Sequence, residues 1–420
     1  MFLKMSVGVI DKIMVGQLGE SAIAGVGTAE QLVFFLLMLF ASISAGVNAL
    51  SSQCVGAGKF DRLKPIFGSA MITGAISAII FNAVFYIYPR ELLTLLGANE
   101  EIAAAGTVYL KITSFSIISI TLTFMMTAVF RAFADNKTPM YASIAAVVIN
   151  TALAYIFIFI FKTGVAGAAY AALIARFSEL FIMVYSFERR RDKLRLSIKD
   201  SFHFSPGTFF ELVKVGWPVT VDMFVWQLAG VVSTLMILKT GTEAAGANEI
   251  IKMVQGVALM PVVGIAMAAS SLVGQDLGRA DFSGAERKAD RILKVSFYFV
   301  LLVSALTAVF STKIPELFNF TAQTKTFASN SILLLSALQV FYIFNVCFPN
   351  ILRAGGDTRA IIYISGSAMW FVGLPLAYIF GITYKLGLYG IIAGINIGEM
   401  VKGAMFYARY RRGVWKKKLI

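Results

Sequence analysis

The sequence predicts an all-α integral membrane protein, with twelve transmembrane helices in two six-helix lobes related by a pseudo-twofold axis. Three observations carry this. The 420-residue chain is 58% hydrophobic and 14% charged, with a mean hydropathy of +0.78, whereas a soluble domain is roughly half apolar and about a quarter charged. The apolar residues gather in runs long enough for the ~30 Å bilayer core, which takes ~20 helical residues. The second half of the chain also repeats the first at a nearly constant separation.

Taken in order, the complete runs fall at 29–52, 66–88, 107–130, 138–161, 164–187, 212–238, 246–273, 291–312, 327–351, 359–381 and 388–408. Short polar or glycine-containing joints such as "GAGKFDR" and "LGANEE" separate them. Glycines within the runs suit membrane helices, because they let backbones approach closely. A partial run, 1–17, opens the chain. Asp11 and Lys12 interrupt it and no small-residue cleavage site follows, so it does not read as a signal peptide. In the repeat, Met1 aligns with Met223, and "FFELVKVGWPVTVD" (209–222) has no counterpart. The expectation is a first helix that is incomplete at its N-terminus.

Charge sets the orientation. Twenty-five Lys and Arg residues lie in alternate loops and the C-terminal tail, against six in the opposite loops. The positive-inside rule then puts both termini in the cytoplasm and the chain in the cell membrane as a multi-pass protein. The same rule accounts for the net charge of +14 and for "ERRRDKLR" at 188–195 without nucleic acid. Cys54 and Cys347 lie far apart in apolar surroundings, as small core residues do, and no disulfide framework or zinc site is indicated.

The repeat is most visible in "RAFAD" (131–135) and "RAGGD" (353–357), which stand 222 residues apart. The same separation aligns Gly19 with Gly241, Gln53 with Gln275, Gly56 with Gly278 and Tyr141 with Tyr363. One added residue aligns "LAY" at 153–155 with "LAY" at 376–378, and Gly164 and Gly167 with Gly387 and Gly390. Many secondary transporters are built from such duplicated halves. The reading is an N-lobe at 1–187, a cytoplasmic linker at 188–210, and a C-lobe at 211–420 with a basic tail. Arg131 with Asp135, and Arg353 with Asp357, are expected to clip the joint of each lobe through ionic hydrogen bonds.

The segments "DKIMVGQLGESAIAGVG" (11–27), "FRAFADNKTPM" (130–140), "GVAGAAYAALIA" (164–175), "SSLVGQDLGRAD" (270–281) and "LRAGGDTR" (352–359) resemble the multidrug and toxin extrusion (MATE) family. The resemblance covers essentially the whole chain in order. It implies an antiporter that exports organic cations in exchange for sodium ions or protons, by alternating access of two lobes. It also implies an ion-coupling site at Asp11 and Asn150, which match an aspartate of the first helix and a polar position of the fifth. A carboxyl in a partly dry cavity holds a proton more readily than one in water. Against that stands the plainer reading that Asp11 pairs with Lys12 and Asn150 makes a helix–helix hydrogen bond.

The chain departs from the family nearby. Ala154 stands where the archaeal and DinF-like kind often has an aspartate, and Ala172 where a hydroxyl often follows. Sodium wants several hard oxygen ligands, so the depleted set favours protons. The acids of the NorM kind are absent too: Trp226 and Gln227 stand near one, and Tyr342 near the other. The chain is thus read as closer to the DinF-like kind. Asp222, Gln227, Glu249 and Tyr342 remain as cleft or secondary coupling candidates. Glu249–Lys252, Arg176–Glu179 and Glu399–Lys402, each spaced i,i+3, read as structural ion pairs.

No cofactor is expected. "GAGKFDR" lacks the spacing of a phosphate-binding loop, and the single histidine, His203, sits in the linker. A membrane-embedded transferase lacks the clustered acids or histidines it would need. A lipid-linked oligosaccharide flippase of the same superfamily is the alternative transport reading. The expected partners are small lipophilic or cationic substrates and membrane lipid, with the protein a monomer.

Overall fold

A computed structural model describes residues 14–316 and 321–419. Every complete apolar run lies mainly in helix, and no strand occurs among the described residues. The chain divides into two compact units, Met1–Gly216 and Trp217–Ile420. Unit 1 holds α1 (Glu20–Ala57), α2 (Leu63–Ile87), α3 (Glu100–Ser114), α4 (Ser116–Ala132), α5 (Lys137–Tyr155) and α6 (Gly164–Arg189). The division falls inside α7 (Pro206–Leu238). Unit 2 continues with α8 (Thr242–Gly278), α9 (Phe282–Val309), α10 (Ala322–Leu338), α11 (Tyr342–Ala354), α12 (Thr358–Ala368), α13 (Leu374–Tyr378) and α14 (Gly387–Arg411).

Nine of the described helical segments are long and apolar enough to cross a membrane, and α3 with α4 make a tenth span bent by 50°. Local chemistry explains the bend. Around it the hydroxyls of Thr113, Ser114, Ser116 and Ser119 turn back onto backbone carbonyls one turn earlier, at 2.6–2.9 Å. Such bonds compete with the helix ladder and bend it.

The duplication is written in the backbone. Most left-handed residues pair at the repeat separation, among them Gly19 and Gly241 (φ 118° and 122°), Gly58 and Ala280 (70° and 62°), Ala134 and Gly356 (58° and 74°), and Lys162 and Lys385 (54° and 57°). Wide π-helical turns follow the same rule, at Ile156–Ile160 after α5 and Ile379–Thr383 after α13. A third π-helical turn, Met369–Gly373 in unit 2, has no counterpart among the described residues of unit 1. Pro375 follows it, and a proline ring cannot sit against the carbonyl four residues earlier; Ala152 stands at the equivalent place in unit 1.

"RAFAD" and "RAGGD" now have a structural meaning. In each, a helix ends, a left-handed residue turns the chain, and the aspartate stands at the start of the next helix. The expected arginine partners are corrected. Asp135 accepts from the backbone and hydroxyl of Thr138 at 3.1 and 2.9 Å, and pairs with Arg190 at the end of α6. Asp357 pairs with Arg409 near the end of α14. The arginines four residues earlier lie on the preceding helix, and it is the helix returning from the far side that reaches the carboxylate.

Each unit is closed by the segment that follows its last helix. In unit 1, residues 191–205 fold back onto α2, where Ser205 and Ser69 exchange hydrogen bonds at 3.0–3.2 Å. In unit 2, Trp415 is fully buried, stacks on Tyr410 at 5.3 Å and donates its indole N–H to the Tyr410 carbonyl. A Cβ on Gly355 would lie 1.7 Å from the Trp415 carbonyl oxygen, so the first glycine of "RAGGD" makes room for this tail.

Candidate functional site

Unit 1 contains a small cavity, partly open to its surroundings. One face of α1 supplies Ile23, Val26, Gly27 and Glu30, at the i, i+3, i+4, i+7 spacing of a helical stripe. Asn150 and Ala154 on α5, with Ile158 one turn on, form a second wall, and α6 adds Ala168 and Ala172. Tyr109 of α3 and Val15 complete it. Three polar side chains therefore line one mainly apolar pocket: the exposed Glu30 carboxylate, the half-buried Asn150 amide and the buried Tyr109 phenol.

The sequence expectation and this cavity overlap at Asn150, and at the two departures, Ala154 and Ala172. Small side chains at those places leave space where larger ligating groups would fill it. Asp11 lies outside the described residues; Val15, four residues later in the chain, is on the wall. Glu30 is the residue that sequence reasoning missed. The apolar run was begun at 29, which made Glu30 look like a boundary residue. The helix instead starts at Glu20, so Glu30 stands two to three turns inside it. The signal that finds it is the 23/26/27/30 stripe. An acidic residue within a membrane helix carries an insertion cost, so it calls for a functional explanation.

Unit 2 gathers a different set. Asn345 of α11 donates from its amide to Glu399 of α14, at 2.7 Å to the carboxylate and 2.9 Å to the backbone carbonyl. The Lys402 ammonium lies 3.2–3.3 Å from both carboxylate oxygens of Glu399. Asp222 of α7 accepts a hydrogen bond from Ser365 of α12, and the charges of Lys402 and Arg353 act on it. Tyr342 stands close enough to Glu399 to feel its charge. The structure thus brings Asp222 and Tyr342 into one network with Glu399–Lys402. Glu249 is elsewhere engaged: it pairs with Lys252 at 2.9 Å on the exposed side of α8, and Lys252 reaches Thr234 at 3.4 Å. Gln227 is half-buried, five residues beyond Asp222 on α7.

The two units share one scaffold with reversed charge. Ser143 and Ser365 are repeat partners, as are Arg176 and Glu399, and Glu179 and Lys402. In unit 1 the buried member is Glu179, held by the Ser143 hydroxyl at 2.6 Å and by Arg176 at 3.6 Å. In unit 2 the buried member is Lys402. Among the described residues, no group of three or more His, Cys, Asp or Glu side chains assembles as metal ligands.

Comparison with known proteins agrees with this architecture. The chain is 27% identical over 99% of its length to the uncharacterized transporter YisQ of Bacillus subtilis (strain 168), covering 92% of that protein. It is 26% identical over 96% of its length to the probable multidrug resistance protein YoeA of the same organism, covering 88% of it. A crystal structure of a MATE protein in the bent conformation superposes with a TM-score of 0.92 at 21% identity, over 98% of this chain and 93% of that one. At that identity the likeness establishes the fold, an all-helical multi-pass membrane architecture. The pattern that defines the MatE family matches residues 1–156 and 218–379, so this chain belongs to the MatE family of membrane transporters.

Proposed function

We propose that the protein is a secondary antiporter that exports lipophilic organic cations by alternating access, driven by protons that enter at the unit 1 cavity. The observation that carries this reading is that Glu30, Tyr109 and Asn150 line one mainly apolar pocket. Glu30 is the proton carrier: ionised, it gives the cavity a negative charge that suits an organic cation; protonated, it leaves the enclosure neutral and releases that attraction. The Asn150 amide and the Tyr109 hydroxyl can hydrogen-bond either form. Asp11, a second carboxylate four residues before Val15 in the sequence, shares the task. Proton coupling is favoured over sodium because Ala154 and Ala172 supply no oxygen to the wall. Relatives named as probable multidrug resistance proteins, YoeA among them, support the substrate class. The basic loops support a cell-membrane location with cytoplasmic termini.

The test is transport of a fluorescent organic cation in proteoliposomes under an imposed proton gradient or an imposed sodium gradient. The expected result is movement driven by the proton gradient alone, lost in Glu30→Gln and reduced in Asn150→Ala. Unchanged proton-driven transport in Glu30→Gln, or transport that responds only to sodium, would overturn the reading.

A further inference from the structure

The unit 2 network has the composition of a cation site. Four helices supply it: the Glu399 carboxylate of α14 accepts from the Asn345 amide N–H of α11, and the Asp222 carboxylate of α7, which accepts from the Ser365 hydroxyl of α12, feels the charge of Lys402. Asn345 is only 8% exposed, and its amide oxygen is buried without a hydrogen-bond partner. That is a costly state for an amide that already spends its N–H on Glu399. It makes sense where positive charge is close by. The positive charge present is the Lys402 ammonium, 6% exposed, 3.2–3.3 Å from both Glu399 oxygens and acting on Asp222.

We infer that Lys402 is a tethered counter-cation: its ammonium occupies an oxygen-lined cradle that would otherwise bind a mobile monovalent cation. The charge count agrees. Asp222 and Glu399 balance Lys402 and Arg353, so the network is complete as it stands, and adding a mobile cation would leave it with excess charge. Removing the ammonium alone leaves one uncompensated carboxylate beside the open amide oxygen of Asn345. The repeat sharpens the point. Unit 1 places Glu179 where unit 2 places Lys402, so the duplicated scaffold tolerates either sign, and unit 2 carries its cation covalently. The consequence is a division of labour, with no exchangeable cation bound in unit 2 of the wild-type chain. This inference goes beyond the reading of the unit 1 cavity and stands without it, because the measurement compares variants that share that cavity.

The experiment uses purified full-length protein in detergent: wild type, Lys402→Met, and Lys402→Met combined with Glu399→Gln, which removes both charges. Bound radioactive sodium is counted, and thermal unfolding is followed in sodium chloride against choline chloride, and from pH 8 to pH 6. Lys402→Met should bind one more sodium ion per chain than wild type, with a saturable rise in unfolding midpoint of a few degrees. If a proton fills the cradle instead, the same variant should gain stability as pH falls, where wild type does not. The double variant should show neither gain. A Lys402→Met protein whose sodium and pH responses match those of wild type, or a double variant that gains as much as the single one, would overturn the inference. Should the methionine variant fail to fold, Lys402→Gln keeps a hydrogen-bond donor for Glu399 and reports the same two quantities.

Discussion

The Asp357 carboxylate accepts two hydrogen bonds from Arg409, at 2.7 Å from Nε and 2.9 Å from a terminal nitrogen. This parallel, two-point geometry is the strongest that a guanidinium and a carboxylate form. It ties the start of α12 to the end of α14. The equivalent tie in unit 1, Asp135 with Arg190, uses an arginine one helical turn further along: Arg409 aligns with Ser186. The aspartate is therefore the fixed element of the duplicated motif, and the arginine is recruited from whichever turn reaches it.

Replacing Asp357 by asparagine should cost about 1.5–3 kcal/mol, the range for hydrogen bonds to charged groups. Arg409→Lys should not preserve the tie, because an ammonium cannot make the two parallel bonds. Thermal unfolding in detergent reads both, and an Arg409→Lys protein as stable as wild type would show that the geometry is unimportant.

Asp135 gives a pH dependence. Burial pushes its carboxyl up, but the Thr138 backbone N–H and hydroxyl, the Arg190 guanidinium and the Lys137 backbone N–H together hold it below the usual carboxylate range. A depressed folded-state value means that the stabilisation is complete above the unfolded value of ~3.9 and is lost as pH falls through the folded value. Wild type should therefore lose stability on acidification below about pH 4 more steeply than Asp135→Asn, which is weaker at neutral pH and flatter in acid. Parallel curves for the two proteins between pH 3 and pH 6 would refute this.

Glycine substitutions should divide by contact. A Cβ on Gly394 would fall 2.2 Å from the Ala377 backbone nitrogen, so α14 must retreat from α13 to admit it. Gly394→Ala should lower stability by about 1–3 kcal/mol, as overpacking does. Gly230 on α7 has nothing within 4 Å of a built Cβ. Gly230→Ala should be neutral, or stabilising by up to ~1 kcal/mol, through helix propensity. Equal losses in the two variants would contradict the packing argument.

Pro375→Ala restores a backbone N–H after the π-helical turn of 369–373. Hydrogen exchange over 369–378 should slow, because the helix can close its ladder there. The equivalent stretch of unit 1, with Ala152, serves as the reference. Unchanged exchange would mean that the wide turn has a cause other than the proline.

Much of this molecule is legible in sequence because its cause is local. Span lengths follow from hydropathy, and the repeat follows from residue identity at a fixed separation, so the helices and their duplication could be read directly. The ion pairs at i,i+3 were legible for the same reason: helix geometry alone brings Glu249 to Lys252 and Glu399 to Lys402. Glu30 was missed because the edge of a hydropathy run is a poor measure of where a helix begins. Asn150, which lines the same cavity, was singled out only through resemblance.

The sequence by itself determined the solvent, the order of the apolar helices and the duplication, since each depends on a residue and its near neighbours or on residue identity at a fixed separation. Only the tertiary structure decided which charges meet. Arg190 reaches Asp135 across 55 residues, Arg409 reaches Asp357 across 52, and Lys402 acts on Asp222 from 180 residues away. Those partnerships depend on which helices pack together and at what rotation, and no local rule fixes either. The same holds for the cavity: Glu30 and Asn150 line it together because α1 packs on α3 while α3 and α5 both pack on α6, a relation that exists only once the helices have packed.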